Sequence, residues 1–175
     1  EEGMMAGIKA FNERGNADGV DAAVICEPEE NQLCIRQKGA LRVEVTLCGT
    51  MAHGAMPQSG VNPVTRAARF VVAVEELERE EIERHGEDPF LGYPSLTPTI
   101  LMGPGCGEPQ INVIPASAYV ALDIRTVPDQ SHRDLVERLE DIIARLASED
   151  PDFDATLEVI EERPPTETPT RKPGC

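Results

Sequence analysis

Residues 41–62 read L-R-V-E-V-T-L-C-G-T-M-A-H-G-A-M-P-Q-S-G-V-N. The first seven alternate, with Leu41, Val43, Val45 and Leu47 set against Arg42, Glu44 and Thr46, which is the two-residue period of a half-buried strand. The stretch Cys48–Asn62 is different. It is made of small and turn-forming residues around His53, which lies between Gly49 and Pro57, and a loop of that composition exposes its histidine. Asn62-Pro63 then places a capping side chain and a first-turn proline ahead of a helical stripe, Val64, Ala67, Ala68, Val71, Val74 and Leu77, that predicts a helix over 64–84. His85-Gly86 ends it.

Downstream, Leu96 to Gly103 reads as a strand. Ala116 to Arg125 alternates, with Ala118, Val120, Leu122 and Ile124 facing one way. Ser131 to Ala147 has a helical apolar face of Leu135, Leu139, Ile142, Ile143 and Leu146, and Ala155 to Ile160 is a last strand. The order β-α-β-β-α-β predicts an α+β, ferredoxin-like sandwich, an antiparallel sheet with both helices on one face. Upstream, Gly3 to Arg14 has helical spacing of Met4, Met5, Ile8 and Phe11. Asp21 to Cys26 suits a buried strand, Glu27–Asn31 an acidic loop, and Leu33–Arg36 a further strand before the turn at Lys38-Gly39. Pro164 to Cys175, rich in Pro and Thr, reads as a linker or tail.

The formal net charge of −16 argues against nucleic acid and anionic membrane surfaces as partners. Aromatics make up only 3% of the chain, so its core is expected to be aliphatic. Five cysteines, none spaced C-x-x-C, fit reduced thiols in a cytoplasmic protein better than a disulfide framework or a cysteine zinc site. No apolar run reaches the ~18 residues of a membrane span. The start at Glu1-Glu2-Gly3, without Met, suggests a fragment whose natural N-terminus lies upstream.

Candidate chemistry lies at six positions. Glu1 and Glu2 precede a helix; they could simply favour its dipole, or divide labour, one holding a metal and the other taking a proton from water. Glu27 closes an apolar strand, an ordinary place for an acid and also a place where open α/β sheets keep ligand chemistry. His53 is either polar surface or a proton and oxyanion group. Asn112 either caps a turn or positions a ligand. Arg125 either pairs with Asp123 or offers its fork to a carboxylate. His85 and His132 carry no motif and are assigned to the surface.

The ordered set E-E-G at 1–3, C-E-P at 26–28, K-G at 38–39, G-T-M-A-H-G-A-M-P at 49–57, N-V-I-P at 112–115 and D-I-R at 123–125 resembles the M20 metallopeptidase family, spanning about Glu1 to Arg163. Glu29 stands where that family commonly has Thr after E-P. The resemblance implies a slice of an α/β zinc-peptidase catalytic domain over 1–38, a dimerisation (lid) domain over 39–163 and a linker or tail over 164–175. It implies a hydrolase of amide bonds in N-acyl amino acids or small peptides, using two zinc or cobalt ions and forming a homodimer through the lid. Glu1 is then the base, Glu2 and Glu27 hold metal, His53 stabilises the oxyanion in the partner's site, and Asn112 and Arg125 position substrate. An upstream His, a bridging Asp and a downstream His are absent, so this chain alone is expected to be inactive. The competing expectation is a non-catalytic ferredoxin-like module that dimerises and binds an amino acid.

Overall fold

The computed structural model describes residues 6–21, 23 and 34–168. Contacts divide the chain into two units, Glu1–Cys34 and Ile35–Cys175. In the first, the helix α1 (Ala6–Glu13) forms within the segment whose spacing predicts one, and it buries none of its residues. The expected strand over 21–26 falls largely outside the described residues.

The second unit runs β1 (Arg36–Gln37), β2 (Gly39–Cys48), β3 (Ala52–His53), α2 (Pro63–His85), β4 (Ser95–Met102), β5 (Val113–Ile114), β6 (Ser117–Thr126), α3 (His132–Glu149), β7 (Asp154–Arg163) and β8 (Thr166–Glu167). The main sheet has the order β4-β6-β2-β7 with every pair antiparallel. That is the ferredoxin-like arrangement expected from the pattern. The alternation places Leu41, Val43, Val45 and Leu47 of β2 and Val120, Leu122 and Ile124 of β6 inward, all at most 2% exposed. Phe70, Val74 and Leu77 of α2 and Leu135, Leu139 and Leu146 of α3 cover them. Both helices therefore lie on one face, since burial of a single apolar face is what drives the two layers together.

Both helices begin as their caps dictate. Asn62 Oδ1 accepts from Val64 N at 3.0 Å, with Pro63 in the first turn, and Ser131 accepts from Asp134 N at 3.3 Å. Gly86, at φ 69°, closes α2 with a conformation that L side chains rarely adopt.

Three features depart from the sequence reading. Thr166–Glu167, inside the expected tail, pairs with Arg36–Gln37 as a two-strand ribbon, and Arg36 ties it through Glu167 at 2.8 Å and Asp88 at 2.9 Å. His132, assigned to the surface, is 7% exposed and lies 2.8 Å from Thr126 Oγ1 through Nε2 and 3.2 Å from Glu162 Oε1 through Nδ1. His85 is also drawn in, its Nε2 3.3 Å from Glu81 Oε2. The cause of the last two is the same. Polar partners satisfy both imidazoles, two strands supplying them for His132 and the same helix, one turn back, for the partly buried His85, so neither leaves a donor or acceptor unpaired.

Candidate functional site

The glycine-rich stretch after β2 is folded back on itself. Gly49 N donates to Ala116 O at 2.8 Å, and Thr50 pairs with Val61. A side chain at Gly49 would put its Cβ 2.5 Å from Pro63 Cδ and from Val61 O, so only glycine lets the loop lie this close to the start of α2. The loop then pairs with the segment before β6, Ala52 opposite Ile114 and His53 opposite Val113. Gly54 N donates to Asn112 O at 2.7 Å. The fold thus brings His53 and Asn112, distant in sequence, to one end of the sheet.

His53 is exposed, and its Nδ1 accepts a hydrogen bond from Ala55 N at 3.1 Å. A nitrogen that accepts cannot carry the ring proton, so the neutral ring keeps its proton on Nε2 and presents that nitrogen outward as a donor. Around it stand three exposed apolar side chains that sequence reading passed over: Met51 at 62%, Met56 at 55% and Ile111 at 108%. A histidine donor with an apolar rim suits insertion into a cleft better than exposure to bulk water. The available signal was the pair Met51 and Met56, large apolar residues on either side of His53 in a loop otherwise made of small, polar and turn-forming residues.

Arg125 lies elsewhere. It pairs with Ala40 and Ser95 near one end of β6, whereas Ser117, opposite Cys48, marks the end that carries the His53 loop. The two ends are eight residues apart along β6, which at the rise of an extended strand is about 26 Å. Arg125 Nε donates to Asp123 Oδ2 at 2.9 Å, so the Asp123 pairing is real. The Nη atoms have no hydrogen-bond partner among the described residues. Arg42 bridges Asp123 at 3.4 Å and Glu161 at 2.5 Å on the same outer face of the sheet. Beside this ladder runs a shallow groove of about 370 Å³, lined by Arg42, Glu44, Ile100, Tyr119, Asp123 and Ile160. The Tyr119 phenol there is pushed up to about 12, first by desolvation and then by the hydrogen bond and charge of Glu44.

Glu1, Glu2 and Glu27 lie outside the described residues. Among the described residues no group of three His, Cys, Asp or Glu side chains is placed to hold a metal ion. They do not by themselves make a dinuclear centre.

A ferredoxin-like sheet with a histidine loop at one end and an acid-x-Arg strand at the other defines a lid of the M20 type. The peptidase dimerisation domain family matches residues 35–151, and the chain belongs to that M20 family. It is similar to acetylornithine deacetylase of Myxococcus xanthus, 29% identical over 164 residues, covering 91% of this chain and 41% of that protein. It is also similar to a Staphylococcus epidermidis protein assigned as succinyl-diaminopimelate desuccinylase, 27% identical over 168 residues, covering 85% of this chain and 41% of the relative. Among crystal structures it resembles a Burkholderia cenocepacia protein assigned as an amidohydrolase/peptidase, with 26% identity and a TM-score of 0.59 over 76% of this chain and 30% of the other. The chain thus spans less than half the length of these relatives.

Proposed function

We propose that the chain is the lid-bearing part of a metal-dependent hydrolase that cleaves the amide bond of N-acyl amino acids or small peptides, and that it works as a homodimer. The observation that carries this reading is the pairing of the His53 loop with Asn112, which holds an outward Nε2 donor at the tip of the lid. A donor aimed at the developing oxyanion stabilises the transition state and typically contributes ~10²–10³ in rate.

Arg125 lies at the opposite end of β6, about 26 Å along the strand from Ser117, and does not share a site with His53 of the same chain. His53 and Asn112 serve the partner's site, while Arg125 holds the substrate carboxylate in its own. Zinc or cobalt, held in part by Glu2 and Glu27, supplies the polarisation of the amide carbonyl when bound. Glu1 takes the proton from the attacking water.

The dimer forms through the β4 edge and the neighbouring α2. Ile100, Leu101 and Met102 of β4 are 44–48% exposed and Val72 of α2 is 55% exposed. Both edge strands carry a register shift, but the other edge, β7, also carries Glu158, Glu161 and Glu162, whose charge protects it from pairing.

The test is subunit mixing in the complete enzyme. H53A and R125A homodimers each lose hydrolysis of N-acyl amino acids. Heterodimers of the two regain one working site, because one site then has both its own Arg125 and the partner subunit's histidine. Mixtures that stay as inactive as the parents, with heterodimers demonstrated, exclude the shared-site arrangement.

A further inference from the structure

The sequence D-I-R at 123–125 on β6 has a counterpart, E-E-R at 161–163, on β7. The two strands flank β2, and the register sets the motifs side by side. Asp123 and Glu161 both pair with Arg42, and Arg125 and Arg163 both pair with Ala40. All five side chains other than Ala40 are partly exposed, with the acids at 21–29% and the arginines at 29–38%. Arg42 lies between the two acids and is hydrogen-bonded to each. Each acid in turn lies next to the arginine two residues on: Asp123 accepts from Arg125 Nε at 2.9 Å, and Glu161 Oε1 lies 3.0 Å from Arg163 Nε. The result is an alternating ladder, Arg163, Glu161, Arg42, Asp123, Arg125, with an arginine at each end and one more cation than anion.

Only a methyl separates the two terminal arginines, since Ala40 lies between them in the register. Two strand spacings set their backbones about 10 Å apart, within reach of each other's long side chains. An acid lies on the Nε side of both guanidinium groups. Among the described residues, neither group has a hydrogen-bond partner at its Nη atoms. Arg163 Nε is also buried and, despite its 3.0 Å approach to Glu161, has no aligned acceptor. A lone surface ion pair leaves no such matched set of free forks, and a guanidinium fork is shaped for a carboxylate. In a chain of net charge −16, and with Glu44 and Glu158 on the next rung, the positive excess is confined to the Arg125 and Arg163 end of the ladder, and that end is where an anionic ligand can settle.

The geometry points to Arg125 and Arg163 acting together as a two-guanidinium subsite, so that the ligand held at this end of the lid carries two carboxylates, one for each fork. This rests on the reading of Arg125 as a carboxylate ligand and adds Arg163 as the residue that sets specificity. The substrate class becomes an amide with a second carboxylate, on the acyl group or on the amino-acid side chain, in preference to one whose only anion is the α-carboxylate.

The test uses NMR of the arginine Nε–Hε groups in this chain, titrated with succinate and with acetate at constant ionic strength, so that screening is equal in both series. Succinate shifts the Arg125 and Arg163 signals with one shared midpoint and binds about tenfold tighter than acetate, because the second carboxylate engages at high effective concentration. In R163Q, whose fold is checked by circular dichroism, that preference disappears while acetate binding at Arg125 remains. A shift at Arg125 alone, or equal affinities for the two anions, overturns the pairing and leaves the role of Arg125 standing. If neither anion shifts either signal, both readings fail.

Discussion

Gln130 Nε2 donates to Glu81 Oε2 at 2.6 Å, and this bond joins the turn before α3 to the last third of α2 beneath a surface that leaves Glu81 only 2% exposed. Arg138 of α3 binds the same carboxylate, and His85 approaches it. Nothing in the proposed chemistry uses the cluster; it fastens the helical layer together.

Glu81→Ala removes the carboxylate and leaves the buried Gln130 amide without its acceptor, while the partly exposed Arg138 keeps Glu80. A loss of about 1–3 kcal/mol is expected from urea unfolding. Replacing Glu81 and Arg138 together by Leu and Met costs less than the two single changes added, because only the exposed Glu80 is then left without its arginine and no buried charge is unpaired. Additive losses would mean that the two side chains do not interact.

Thr126→Val deletes the hydroxyl 2.8 Å from His132 Nε2. The isosteric methyl keeps the packing, so the expected cost of about 1–3 kcal/mol reads the orphaned imidazole. A variant as stable as the parent would show that His132 finds another partner.

Gly49→Ala sets a Cβ against Pro63 Cδ and Val61 O. The strain of overpacking, about 1–3 kcal/mol, falls on the loop that seats His53, so hydrogen exchange at Gly54 N should rise more than exchange in β2. His53→Ala, at an exposed position, should change stability by no more than about 0.5 kcal/mol. Together the pair separates the scaffold of the loop from its chemistry.

Tyr119, pushed up to about 12 by burial and by Glu44, should titrate late in an ultraviolet absorbance scan, and Y119F should remove that step. Its folded value lies above the unfolded value of about 10. The stability it contributes is therefore complete below pH about 10 and lost as pH rises through about 12. Glu44→Gln should lower the midpoint without returning it to the ordinary phenol value, since desolvation is the larger cause.

Ile100→Lys places a charge on the apolar β4 edge. Sedimentation should show self-association weakened by at least about tenfold, because the position counts twice in a symmetric dimer. The same change at Glu158 on β7 should leave association unaltered; the opposite pattern would move the interface to that edge.

Sequence pattern reached the fold because both periodicities were unbroken. Four inward residues of β2 and the stripe of α2 each point to one buried face, and the Asn62 and Ser131 caps mark where the helices start. His53 and Asn112 could be picked out, but not their adjacency, which depends on a two-residue ribbon too short to leave a pattern. His132 was misplaced because its partners, Thr126 and Glu162, come from two different strands, and a partner across the fold leaves no trace in local spacing. The β8 segment was passed over for a related reason. Its composition is that of a loop, and only Arg36, far away in the chain, makes it a strand.

That last strand has an architectural consequence. Thr168 N donates to Ile35 O at 2.7 Å, and β1 and β8 run side by side, so the polypeptide crosses the boundary of the sandwich twice at nearly the same place. A module whose two ends are already clasped imposes almost no closure entropy on a chain that carries it as an insertion, and it disturbs the host as little as a short surface turn does. It is portable: cut at one surface turn, the body from Ile35 to Thr168 can leave one protein and be spliced into another with its core of Leu41, Phe70 and Leu139 untouched.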